Sequence, residues 1–146
     1  PASVIKELVE NSIDANASHI SVFVEQGGHQ TICVVDNGLG MNNDDLHNCY
    51  TRHATSKMST SSDLFNINSL GFRGEALSSI SSVSFMSVET RARGEKIGSK
   101  LVLEGGIVKN QGAASHADGS SVTVKNLFYN TPARKKFLKK HTVLLI

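Results

Sequence analysis

The chain has 146 residues, of which 39% are hydrophobic and 19% charged, with a formal net charge of +2. That composition excludes an intrinsically disordered polymer, and no apolar run approaches the roughly 18 residues of a membrane span, so no membrane partner is expected. Cys33 and Cys49 form no CxxC and no zinc-type spacing with the histidines. Both thiols are therefore expected to be reduced, buried and structural, in an intracellular compartment. Opening at Pro1, residues 1–146 read as a single domain truncated at both ends, a fragment of something longer. Charge is uneven along it. Residues 126–146 hold Arg134, Lys135, Lys136, Lys139 and Lys140 and no acid, while the rest is mildly acidic. This asymmetry fits an anionic partner, or simply a solvated helix face.

In chain order, residues 2–16 predict a helix, with Val4, Ile5, Leu8, Val9 and Ile13 on one apolar arc. Segments 19–25 and 30–36 are rich in β-branched residues and flank Gly27-Gly28, which predicts a hairpin. A short helix follows over 43–50, capped by Asn42 or Asn43. Residues 51–70 are polar and weakly periodic, and read as a long loop of the functional kind. A helix over 74–82 and strands near 83–91, 98–104, 106–110 and 119–126 complete the body. Thr131-Pro132 then starts a basic helix to about 140. Helices and strands occupy separate stretches, which predicts an α+β two-layer sandwich. Its sheet is expected to be mixed but mostly antiparallel, with the helices on one face.

Glu7, Asn11 and Asp14 are spaced i, i+4, i+7 and so fall within about 60° on the first helix, opposite the apolar arc. They are the wet face of an amphipathic helix, or an acid and an amide set for a general base beside a metal-binding oxygen. Asp36-Asn37-Gly38-Leu39-Gly40-Met41 closes an apolar strand, with an acceptor at its tip and two glycines that let backbone approach a flat ligand. A calcium loop is excluded, because Gly38 and Met41 stand where ligand and glycine are needed. No GxGxxG or Walker A sequence occurs. Gly71-Phe72-Arg73-Gly74-Glu75-Ala76-Leu77 is a glycine-flanked turn entering a helix, a place where free N–H groups can hold phosphate. Arg52-His53-Ala54-Thr55-Ser56-Lys57 adds cations and hydroxyls suited to a polyphosphate. Ser3-Val4-Ile5-Lys6 matches SxxK, but no partner motif follows it.

In order, EL-x-x-N-x-x-DA at 7–15, DNGLGM at 36–41 and GFRGEAL at 71–77 resemble the ATPase superfamily of gyrase, heat-shock chaperone, histidine kinase and MutL. RHATSK at 52–57, LGFRGEALSSISSV at 70–83 and LFYNTPARKKFLKK at 127–140 are similar to the MutL family, which acts in DNA mismatch repair. The resemblance implies a Bergerat-type ATPase fold and slow, Mg²⁺-dependent ATP hydrolysis that switches the protein between open and closed states. It implies Glu7 as the general base, Asn11 as the Mg²⁺ ligand, and Asp36 as acceptor of the adenine amine. Asp14, Gly38, Gly40 and Met41 belong to the same pocket. Thr55, Ser56 and Lys57 fall in a nucleotide lid over 51–70, and Gly71, Phe72, Arg73, Gly74, Glu75, Ala76 and Leu77 at the phosphates. Ser120 stands where the superfamily usually has a threonine after glycine, which keeps a hydroxyl near adenine. Arg134, Lys135 and Lys136 fall where the family fold meets DNA or partners. Implied partners are ATP, DNA, a MutS-type mismatch-recognition protein and a second subunit in an ATP-induced N-terminal dimer. The cytoplasm is implied for a bacterial protein, the favoured source, and the nucleus for a eukaryotic one. A preceding segment and a second subdomain with a further ATP-contacting lysine are expected outside this chain. Another superfamily member (a topoisomerase subunit or histidine kinase), a binding module without turnover, and a plain DNA-binding domain are the alternatives.

Overall fold

A computed structural model describes residues 2–28, 30–50 and 72–131; for Phe72, Arg73, Gly74 and Glu75 it describes the backbone alone. The order is α1 (Ala2–Asp14), β1 (Ile20–Glu25), a short 3₁₀ turn (Gln26–Gly28), β2 (Thr31–Asp36), α2 (Asn43–Tyr50), α3 (Phe72–Ser82), β3 (Phe85–Arg91), β4 (Gly98–Glu104), β5 (Ile107–Ala114) and β6 (Gly119–Lys125).

Local chemistry sets the boundaries. α1 stops because Asn16 takes a positive φ of 60°. The Ala17 N–H then reaches the Ser12 carbonyl at 3.2 Å and the Asn16 N–H reaches that of Ile13 at 3.0 Å, the paired bonds of a left-handed C-terminal cap. α2 starts where Asn42 Oδ1 accepts from the Asp45 N–H at 2.7 Å, and Asp44 and Asp45 complement the positive end of its dipole. β3 begins at Phe85, two residues later than the sequence suggests. Ser84 Oγ is occupied in bonding the Ile80 carbonyl at 2.8 Å, and the Val83 carbonyl accepts from Phe128 N–H. β5 runs to Ala114, past the expected end at 110, because Gly112 pairs in register with Lys100 rather than breaking the strand.

Six strands form one sheet in the order β1-β2-β6-β3-β4-β5. Every pairing among the described residues is antiparallel, the mostly antiparallel arrangement expected, with no parallel pair among them. The reason is topological. β2 and β3 do run in the same direction, joined through helices, but β6 lies between them and pairs antiparallel with both.

The helices cover one face of the sheet, as expected. Val4 and Leu8 of α1, Leu46 of α2, and Leu77 and Ile80 of α3 pack on Ile32, Val34, Met86, Val88, Leu101, Leu103 and Val124. Alternation along β1 and β3 leaves Phe23 and Glu89 on the opposite, solvent-facing side. One helix departs from its sequence pattern. Ile13, assigned to the apolar arc, is 58% exposed, and Ser12 is buried in its stead. At about 100° per residue this is a rotation of α1 toward Asn11, and it brings the polar edge of the helix against the protein body.

Candidate functional site

Beyond the C-terminal end of β2, α1, the 37–42 loop, α3 and β6 enclose a cavity of about 310 Å³. Its walls are mainly apolar, from Leu8, Val34, Leu39, Met41, Leu77 and Val122, and its polar groups come from Asn11, Ser12, Asp14, Asp36 and Ser120. An apolar slot of this size with a few fixed polar atoms suits a flat heteroaromatic ring.

Asp36 is the best-defined of these groups. Its Oδ2 accepts from Ser12 Oγ at 2.7 Å and its Oδ1 from the Gly38 N–H at 2.9 Å. Each oxygen retains a lone pair, because a carboxylate offers about four acceptor positions. The strand register places Asp36 opposite Ser120 of β6. The glycines behind this corner are fixed by contact. A Cβ on Gly38 would lie 2.6 Å from the Ala15 carbonyl oxygen. One on Gly40, whose φ is +68°, would lie 1.9 Å from that of Arg91. The loop is thus laid directly on the end of β3, where the Arg93 N–H also reaches the Leu39 carbonyl at 3.0 Å.

On α1, Glu7 Oε2 and both amide atoms of Asn11 are shielded from solvent and make no hydrogen bond. Buried polar atoms are ordinarily paired, and each one left without a partner carries a desolvation cost of about 1–3 kcal/mol. These atoms are not the wet face of an amphipathic helix. They are donors and acceptors without a hydrogen-bond partner among the described residues, and so are open to a bound group. Among the described residues no three His, Cys, Asp or Glu side chains cluster as a metal cage. A Mg²⁺ ion does not need one, since it commonly takes one or two protein oxygens and completes its shell with water and phosphates. The unpartnered Asn11 Oδ1 fits that role.

The cavity therefore gathers Asn11, Asp14, Asp36, Gly40, Met41, Leu77 and Ser120. Glu7 lies one turn before Asn11, Gly38 backs the wall through Ala15, and Ala76 is half-buried at the side of Leu77. Thr55, Ser56, Lys57, Gly71, Arg134, Lys135 and Lys136, with the 51–70 loop and the helix from 132 onward, lie outside the described residues. Two contributors carried no signal in the sequence. Ser12 is a buried helix serine that orients Asp36, and Thr90 is fully buried beneath Ser120, 2.7 Å from its hydroxyl. Cys33 and Cys49 are free but half-buried rather than buried. Cys49 lines the cavity, where burial, and secondarily the Asp45 carboxylate, pushes its thiol from 9.0 up to about 11. It stays protonated and unreactive near neutrality.

An apolar slot ending in a fixed carboxylate, beside unpartnered polar atoms on a helix, is suited to hold a nucleotide. Residues 1–128 match the family described as histidine kinase-, DNA gyrase B-, and HSP90-like ATPase. The chain belongs to that family. It is 53% identical over 140 residues to the DNA mismatch repair protein MutL of Syntrophotalea carbinolica, covering 96% of this chain and 22% of that protein. It is 51% identical over 141 residues to MutL of Phocaeicola vulgatus, covering 97% and 23%. The chain thus spans about a fifth of the length of these bacterial relatives. Among solved structures, it resembles the Aquifex aeolicus MutL ATPase domain complexed with ADP, at TM-score 0.72 and 33% identity over 94% of this chain and 46% of that one. The 43K ATPase domain of Thermus thermophilus gyrase B, in complex with an aminocoumarin, shares the fold at TM-score 0.57 and 21% identity, over 92% and 37%.

Proposed function

We propose that this region binds Mg²⁺-ATP and hydrolyses it slowly, as the conformational switch of a MutL-type mismatch repair protein. The observation that carries this reading is the set of buried, unpartnered atoms of Glu7 and Asn11 on the helix that flanks the cavity. Adenine enters the apolar slot with its amine toward Asp36, a carboxylate that can only accept. The amide oxygen of Asn11 would hold Mg²⁺, and Glu7 would take the proton of the water that attacks the γ-phosphate. When bound, the ion would supply charge neutralisation at the phosphates. The motifs assign Thr55, Ser56 and Lys57, and the turn from Gly71 to Leu77, to the phosphate end. They assign Arg134, Lys135 and Lys136 to DNA. The ADP complex of the Aquifex relative and the MutL name of the bacterial relatives support the nucleotide and the repair setting. By the same resemblance the partners are a second subunit, a MutS-type protein and DNA, and the site of action is the bacterial cytoplasm. No helix among the described residues is long and apolar enough to cross a membrane.

The test is Glu7→Ala in the full-length protein. Loss of a general base costs about 10²–10⁴-fold in rate, so single-turnover hydrolysis should fall by that factor while ATP affinity changes little. Turnover within a few-fold of the parent would remove Glu7 from the chemistry.

A further inference from the structure

We infer that Thr90 is a positioning residue that sets which base the cavity accepts, by turning the Ser120 hydroxyl into a pure hydrogen-bond acceptor. The inference rests on the proposed nucleotide site and deepens it.

Thr90 is fully buried on β3, and its Oγ1 makes three contacts. The Met41 N–H lies at 2.9 Å, the Gly119 carbonyl at 3.0 Å and Ser120 Oγ at 2.7 Å. A hydroxyl has one proton and two lone pairs, and a single assignment of roles satisfies all three contacts at once. Met41 N–H can only donate, so it takes one lone pair of Thr90. The Gly119 carbonyl can only accept, so the Thr90 proton goes there. The short contact to Ser120 then requires Ser120 to donate into the second lone pair. Ser120 therefore meets the cavity with its proton already committed and only lone pairs to offer.

Asp36, its register partner across β2 and β6, likewise offers only lone pairs. Two adjacent acceptors on one wall welcome an exocyclic amine, as on adenine, and oppose a carbonyl at the same place, as on guanine. Without the Thr90 hydroxyl, the Ser120 proton is free to turn into the cavity and greet a carbonyl. The Met41 N–H, which anchors the wall residue Met41, loses its acceptor as well. None of this depends on Thr90 touching the ligand.

The experiment compares ATP and GTP affinities of the full-length protein, by calorimetry and competition, for the parent, Thr90→Val, Thr90→Ser and Ser120→Ala. Thr90→Val keeps the side-chain shape without the hydroxyl, and should narrow the ATP-over-GTP preference by about tenfold, the scale of one buried hydrogen bond. Thr90→Ser restores the hydroxyl and should stay within about threefold of the parent. Ser120→Ala should narrow the preference as Thr90→Val does. A Thr90→Val protein that keeps the parental ratio overturns the inference, including one that loses both nucleotides equally, the mark of a merely structural role. If Thr90→Val does not fold, an unchanged ratio in Ser120→Ala overturns it instead. A parent that binds neither nucleotide overturns the nucleotide-site reading itself, and the inference with it.

Discussion

The centre and one edge of the sheet are dissimilar. Where the 37–42 loop lies on the ends of β2, β6 and β3 beside the cavity, backbone is pressed against backbone, and side-chain hydroxyls and a carboxylate close the remaining gaps. At the far edge, β5 buries no residue: Ile107 through Ala113 are exposed, with Ile107 at 63% and Val108 at 46%. A register shift between Val102 and Leu103 further loosens its pairing with β4. The same antiparallel ladder thus serves a crowded functional corner and a plain solvent edge. Glycine shows the difference best. At the cavity Gly38 and Gly40 are steric requirements, and on the edge strand Gly112 is a vacancy that other residues could fill.

Substitution should separate these cases. Gly40→Ala carries the largest expected effect, because it combines a φ of +68° with a Cβ 1.9 Å from the Arg91 carbonyl oxygen. Unfolding by urea should show a loss of about 3 kcal/mol or more, and a loss below 1 kcal/mol would mean that the loop is not seated on β3 as described. Asp36→Asn comes next. Its carboxylate accepts from both Ser12 and the Gly38 N–H, so an amide that keeps its oxygen on Gly38 turns its NH₂ toward Ser12, which must then accept, and toward the ligand. Charged hydrogen bonds are worth about 1.5–3 kcal/mol, and ATP affinity should drop at least tenfold by calorimetry. Equal affinities would detach Asp36 from the base. Gly94→Ala and Gly112→Ala form the smallest, paired test. A Cβ meets nothing within 4 Å at either position, but Gly94 has a φ of +89°. Gly94→Ala should therefore cost about 1–2 kcal/mol from conformation alone. Gly112→Ala should be neutral or gain about 0.4–1 kcal/mol by restraining the unfolded chain. Equal thermal shifts for the pair would show that dihedral strain is not what divides them.

Much of this arrangement was legible in the residues, and the misses have physical causes. α2, the β1–β2 hairpin and most strand limits follow from caps, turn glycines and β-branched runs, all local signals. The Glu7 and Asn11 spacing pointed to one helical face. It could not show that the helix is rotated so that Ile13 is exposed and these polar atoms are sealed from water, because the rotation is set by packing on a sheet that the helix sequence does not encode. Ser12 and Thr90 were invisible for the same reason. A serine in a helix and a threonine in a strand are ordinary there, and each gains its role from a residue 24 or 30 positions away. The mostly antiparallel sheet is legible from the strand run, but the place of β6 between β2 and β3 is not, because it depends on a pairing across most of the chain.

The position of β6 also bears on how the molecule is made. During synthesis the β1–β2 hairpin emerges early and the β3–β4–β5 meander later, yet among the described residues no strand pairing joins the two until β6 appears. A nascent chain that stops short of Gly119 lacks the strand that pairs with both halves, and with it the continuous sheet that the helices cover. Bridging them requires closure of long loops before any long-range contact can repay the entropy, which makes assembly slow and leaves the halves prone to pairing with strangers. Because Ser120 is on that bridging strand, the pocket wall becomes complete in the same step that joins the sheet. A nucleotide held against Asp36 and Ser120 together can therefore stabilise only chains that have finished folding, and ligand added during refolding should shift the final yield more than the early formation of either half.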